Sequence, residues 1–209
     1  MKIKGILAVA GFAVVLSAPA QAEIIDFLEM GNASEYGSSP LIVDSGILNI
    51  TANKNGFAAF AYLDRGDAGL GVCGNLTNTE SADAQCNPSS DDNVTTAESL
   101  TFTFSQNVII DGIWVNNNHD GDKLFSTSEY LVLNGTNVYA TDRTRVDYNA
   151  LITGSLFDSA LSEFTLGFGN EQFYVSKIAY TVISVPEPAT LGLLALGLFG
   201  LGAARKKRA

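Results

Sequence analysis

The sequence predicts an all-β fold over residues 23–184: a single antiparallel β-sandwich, jelly-roll-like, of about eight strands. Three observations lead there. No long amphipathic helical pattern occurs between Glu23 and Ser184, the apolar residues fall in short runs rich in β-branched and aromatic side chains, and turn-forming residues separate those runs. Short strands spaced in this way bury their apolar faces by stacking as two sheets around one core.

In chain order the runs are Ile47 to Thr51, Phe57 to Tyr62, Leu100 to Phe104, Val108 to Val115, Tyr130 to Leu133, Val138-Tyr139, Phe164 to Phe168 and Phe173 to Ile183. Leu100, Phe102 and Phe104 alternate with Thr101 and Thr103, the period of a half-buried strand. Asn53-Lys54-Asn55-Gly56, Asp111-Gly112, Asn134-Gly135 and Gly169-Asn170 are the expected turns. In Val108 to Val115, Ile110, Gly112 and Trp114 share one face, while Ile109, Asp111, Ile113 and Val115 share the other. That parity assigns the better apolar face to Ile113 and Val115 and turns Trp114 outward, against the commoner fate of a lone Trp, core packing.

Of 209 residues 46% are hydrophobic and 16% charged, which suits one domain with appendages. All 22 acidic residues lie between Glu23 and Glu187, while six of the 12 basic ones sit at the extreme ends: Lys2, Lys4, Arg205, Lys206, Lys207 and Arg208. Between Glu23 and Pro186 six basic residues face 21 acidic ones. Nucleic acid is excluded as a partner, because phosphate binding needs Lys and Arg gathered on one face.

Residues 1–22 read as a secretory signal peptide, with Lys2 and Lys4, an apolar run from Gly5 to Leu16, and Ala20-Gln21-Ala22 before Glu23. Cleavage after Ala22 leaves Glu23 as the first residue. The alternative reading of this segment is an N-terminal core helix. Near the other end, the apolar stretch Ala189 to Ala204 precedes Arg205-Lys206-Lys207-Arg208, a basic cluster that holds its side of a membrane in the cytoplasm. As a helix those sixteen residues span roughly 24 Å against about 30 Å of hydrocarbon, so the anchor is short and weak. Before it stands Val185-Pro186-Glu187-Pro188, in which two prolines hold the chain extended and accessible to a protease.

Pro186-Glu187-Pro188, the apolar stretch and the terminal basic cluster together resemble the PEP-CTERM sorting signal, over residues 185–209. The resemblance implies recognition by an exosortase, a multi-pass membrane cysteine transpeptidase of Gram-negative bacteria that make extracellular polysaccharide. It implies transient anchoring in the inner membrane, removal of the helix, and delivery to the cell surface or extracellular matrix. The alternative is an ordinary transmembrane anchor with a Pro-rich stalk. Gly69-Leu70-Gly71-Val72, Asp91-Asp92-Asn93 and Glu98-Ser99-Leu100 resemble a pattern shared by many proteins with this signal, and such domains look like carbohydrate-binding jelly rolls.

Cys73 and Cys86 are the only cysteines, with 12 residues between them, and in an exported chain an even pair reads as a disulfide. A zinc site or a Cys-His dyad would rest on His119 alone, the single histidine. Asn116, Asn118, Asp120 and Asp122, with Asp91 and Asp92 and the further pair Asp64 and Asp67, offer the hard oxygen ligands and relaxed turns that suit Ca²⁺. The competing reading is a set of solvated turns, since no EF-hand register is met. Trp114, Tyr130 and Tyr148, followed by Tyr139 and Tyr174, are the rings available to stack on a sugar. Neither a Gly-x-Ser-x-Gly elbow nor a phosphate loop occurs, so no catalytic residues are assigned and the chain is not read as an enzyme.

The expectation is therefore an exported protein of the surface or matrix, sorted by an exosortase, with a structural or adhesive role in exopolysaccharide or biofilm. Two alternatives stand beside it: a carbohydrate-binding module, with Ca²⁺ as its cofactor where one is needed, and a secreted glycan-acting enzyme.

Overall fold

The computed structural model describes residues 22–77, 84–116, 128–139, 150–152 and 159–183, with the side chains of 150–152 excepted. The predicted signal peptide up to residue 21 and the sorting segment from residue 184 onward, with Val185, Pro186, Glu187, Pro188 and Arg205 to Arg208, lie outside the described residues. Gln21–Ile183 forms one compact unit.

The unit begins with β1 (Ala22–Asp26), α1 (Phe27–Ala33), β2 (Tyr36–Ser38) and β3 (Leu41–Val43), followed by a single 3-10 turn at Asp44–Gly46. Next come β4 (Leu48–Lys54), β5 (Phe57–Asp64), β6 (Gly69–Cys73) and the long β7 (Glu98–Asn116). The chain continues with β8 (Tyr130–Leu133), β9 (Thr136–Tyr139), β10 (Ala150–Ile152), β11 (Leu161–Gly167) and β12 (Tyr174–Val182). Every pairing is antiparallel, and the fold class is the predicted all-β one.

The strands join into one continuous sheet with the order β1-β12-β6-β5-β4-β7-β11-β8-β9. β2, β3 and β10 pair off that path with β5, β4 and β7. What the sequence suggests as two strands, Leu100 to Phe104 and Val108 to Val115, is the single 19-residue β7. Its first half lies between β4 and β11, and its second half pairs with β12 and β10. Because β12 also touches β6, the path through β4, β5, β6 and β12 returns to β7 and closes around the core.

The expected turn at Asp111-Gly112 is instead a bulge inside β7. Tyr180 faces Ile110 and Ala179 faces Gly112, leaving Asp111 as the extra residue, its Oδ2 accepting 2.7 Å from Thr181 Oγ1. An extra residue reverses the inward face: Val108 and Ile110 are buried before it, Ile113 and Val115 after it, and Ile109 and Asp111 are exposed. Trp114 is thereby left half-buried. Ser176 is the corresponding extra residue on β12, between Val175 opposite Val115 and Lys177 opposite Trp114.

The turns at Asn55-Gly56 and Asn134-Gly135 are as expected. Both residues of each have positive φ (54° and 81°, 48° and 79°), the tight hairpin geometry that Asn-Gly accepts most easily. α1 is a seven-residue helix whose first turn is capped by Asp26 Oδ1, which accepts 3.1 Å from Glu29 N–H. It packs Phe27 fully into the core, which is otherwise built from Leu48 and Ile50, Leu100, Phe102 and Phe104, Phe164 and Leu166, and Ile178 and Tyr180.

Candidate functional site

Polar side chains gather where β4, β6 and β7 reach the same end of the sheet. Cys73 ends β6, and Cys86 comes back to it in a disulfide, as expected from the cysteine pair. Leu76 bridges to Cys86, Thr77 N–H donates to Gln85 O and Asn87 N–H to Asn75 O, each at 2.8 Å. Both sulfurs are buried against Tyr62, Phe60 and Leu76.

Beside this loop Lys54, the last residue of β4, stands in register with Glu98, the first of β7. Its Nζ contacts Asp91 Oδ1 directly and lies 2.8 Å from Glu98 Oε1. Glu98 is buried, and its other oxygen accepts from Thr95 N–H at 2.7 Å and Thr95 Oγ1 at 2.9 Å. Asp91 Oδ2 accepts 3.2 Å from Gly74 N–H. Burial pulls the Lys54 ammonium toward its neutral form, but hydrogen bonds and charge from Asp91 and Glu98 outweigh it and hold the pKa above the ordinary lysine value.

Asp92 turns the other way. It is buried and accepts 2.6 Å from the Tyr174 hydroxyl, which also senses Asp64. Asn116 is buried too, its Nδ2 donating to Ala68 O at 2.8 Å and Ser176 Oγ at 3.0 Å. Of the residues read as Ca²⁺ ligands, Asp91, Asp92 and Asn116 thus face three different sets of partners, while Asn118, Asp120 and Asp122 lie outside the described residues, as does His119. Among the described residues no group of three or more His, Cys, Asp or Glu is placed to hold a metal ion.

The aromatic candidates divide similarly. Tyr174 is 1% exposed, which corrects its inclusion among surface rings: its hydroxyl donates to the buried Asp92, whose segment lies against it. Tyr130 is half-buried and meets the exposed Tyr139 across the β8–β9 hairpin, centroids 5.6 Å apart and planes at 51°. Tyr148 lies outside the described residues. A separate surface hollow of about 450 Å³ is lined by Glu23, Ile24, Asp26, Glu29, Met30 and Asp44.

Three buried phenols face carboxylates: Tyr62 donates to Glu35, Tyr174 to Asp92 and Tyr180 to Asp44. Burial first, and the adjacent carboxylate second, raise all three pKa values above the ordinary phenol value. A raised folded-state pKa stabilises the fold fully below the unfolded value, about 10, and that contribution is lost as pH rises toward the folded values. Urea midpoints should therefore be flat across neutral pH and fall above about pH 10, each phenol contributing up to about 1.4 kcal/mol per pH unit. Unchanged midpoints between pH 9 and roughly 11.5 would contradict the burial of these hydroxyls.

Sequence reasoning missed the Lys54, Asp91 and Glu98 cluster and the Tyr174–Asp92 pair. The available signal for the first was the scarcity of cations, six basic residues against 21 acidic ones between Glu23 and Pro186, which makes each lysine a natural centre for carboxylates. In comparisons with known proteins, neither the curated proteins nor the solved structures contain a match. The family of the PEP-CTERM protein-sorting motif does match, over residues 184–208, taking in Pro186-Glu187-Pro188, the apolar stretch and the basic cluster through Arg208. The chain therefore carries a PEP-CTERM protein-sorting motif immediately after the last strand of its all-β unit.

Proposed function

We propose that this is an exported protein, sorted by an exosortase-type membrane enzyme through residues 184–208 and released to the cell surface or extracellular matrix, where its β-domain has a structural or adhesive, non-catalytic role in exopolysaccharide. The sorting motif is the observation that carries the reading. The disulfide fits an oxidising compartment, and the excess of carboxylates between Glu23 and Pro186 fits a soluble matrix component. A second reading, carbohydrate binding, rests on the adjacent Tyr130 and Tyr139 rings on an outer hairpin, with Trp114 and Tyr148 as further candidates.

The test is fractionation of the producing cells with the sorting motif intact, with Pro186→Ala/Glu187→Ala/Pro188→Ala, and with the sorting enzyme inactivated. Both lesions are expected to leave an uncleaved precursor in the inner-membrane fraction and to remove the surface pool. Equal surface pools in all three strains would overturn the proposal.

A further inference from the structure

We propose that Lys54 and Asp91 become joined by a spontaneous intramolecular isopeptide bond, with Glu98 as the proton carrier. Four observations converge on it. Lys54 Nζ is in direct contact with the Asp91 carboxylate. Glu98, whose side chain is 0% exposed, places Oε1 2.8 Å from the same nitrogen. The far oxygen of Asp91 accepts from Gly74 N–H at 3.2 Å, a donor aimed where negative charge develops when the carboxyl carbon is attacked. Glu98 is itself fixed by two donors from Thr95.

The step balances without a co-reactant. Within the ion pair the Lys54 ammonium gives one proton to Asp91, producing a neutral amine and a neutral carboxylic acid. The Nζ lone pair attacks Asp91 Cγ, and the C=O electrons move onto Oδ2, where the Gly74 N–H receives them. Glu98 takes the second proton from Nζ and returns it to the departing hydroxyl at Oδ1, which leaves as water while C=O re-forms. One N–C bond forms, one C–O bond breaks, and Glu98 ends as the carboxylate it began as.

The hydrogen-bonded ammonium is the favoured form of Lys54, so the reacting form is a minor one. The reaction relies on proximity: two groups held in contact react as though at very high concentration, and the pair need react only once. Gly74 belongs to this arrangement, since a Cβ there would stand 3.0 Å from Asp91 Oδ2 and 3.2 Å from Lys54 Cδ. The product would fasten the β4 end to the segment just beyond Cys86, a second covalent tie beside the disulfide. For a protein exposed to proteases outside the cell, that is a useful place for one.

The test is peptide mapping of the purified full chain after reduction and alkylation. The expected result is a reduced, alkylated chain about 18 Da, one water, below its sequence mass, and a tryptic species joining the Lys54 and Asp91 segments, uncut after Lys54, whose sequencing gives two N-termini, one of them Gly66, which a linear peptide uncut at Arg65 lacks. Separate, full-mass peptides after overnight incubation at neutral pH would overturn the proposal. Glu98→Gln, folded by circular dichroism, is expected to lower the linked fraction at least about tenfold, as loss of a proton-transfer group does. Undiminished linking in that variant would overturn the role given to Glu98.

Discussion

Phe164→Ala is expected to destabilise the domain by about 3–5 kcal/mol, a large part of the stability of a domain this size. Phe164 is 1% exposed on β11, where its ring stacks on Phe102 at 4.7 Å and 11° and reaches Phe104 at 6.3 Å. Phe104 in turn meets Tyr180 on β12 at 5.0 Å. The ring therefore belongs to an aromatic chain that crosses from β11 through β7 to β12, where the continuous sheet closes over its core. Truncation removes the transfer free energy of the ring and leaves a void that rigid neighbouring strands refill poorly. Urea unfolding followed by far-UV circular dichroism measures the loss. A cost below about 1 kcal/mol would place Phe164 outside the core.

Cys73→Ser/Cys86→Ser is expected to be the next largest change. The bond closes a loop with 12 residues between its cysteines, and losing it restores roughly 3 kcal/mol of unfolded-chain freedom. For a domain of this length that corresponds to a melting temperature lower by roughly 6–12 °C. Among its described residues, Leu76 packs on the cluster of Tyr62 and the two cysteines, so the bond and that contact hold the same end of the loop. Because Cys73 and Cys86 are 0% and 5% exposed, reductant without denaturant should leave the bond intact over hours, while reductant in urea breaks it. A melting temperature unaffected by the double substitution would show that the loop adds nothing to the fold.

The parts of this architecture legible in the sequence are the local ones. Leu100, Phe102 and Phe104 alternate with threonines, and the structure buries the first set and half-exposes the second. Asn55-Gly56 and Asn134-Gly135 announce their hairpins by their tolerance of positive φ. Two cysteines allow one intramolecular pairing. β7 was illegible as a unit because Ser105-Gln106-Asn107 and Asp111-Gly112 look like punctuation, and only the partner strand β12 shows the latter to be a bulge. α1 escaped because seven residues with only Phe27 and Gly31 buried set up no detectable period. Asp91 and Asp92 sit side by side and suggest one ligand set, yet in the loop between β6 and β7 they turn to Lys54 and Tyr174, 37 and 82 positions away. No local pattern encodes such pairings. The sorting motif is the opposite case, a linear signal read from consecutive residues.

The most direct measurement is the intact mass of the protein recovered from the cell surface or the surrounding medium, taken with sequencing of its C-terminal peptide. If the motif at residues 184–208 is the substrate of a sorting enzyme, the recovered chain ends near Pro186-Glu187-Pro188 and has lost the apolar stretch Ala189 to Ala204 together with Arg205 to Arg208. A recovered chain that still carries those residues would contradict processing at the motif, and with it the proposed route to the surface.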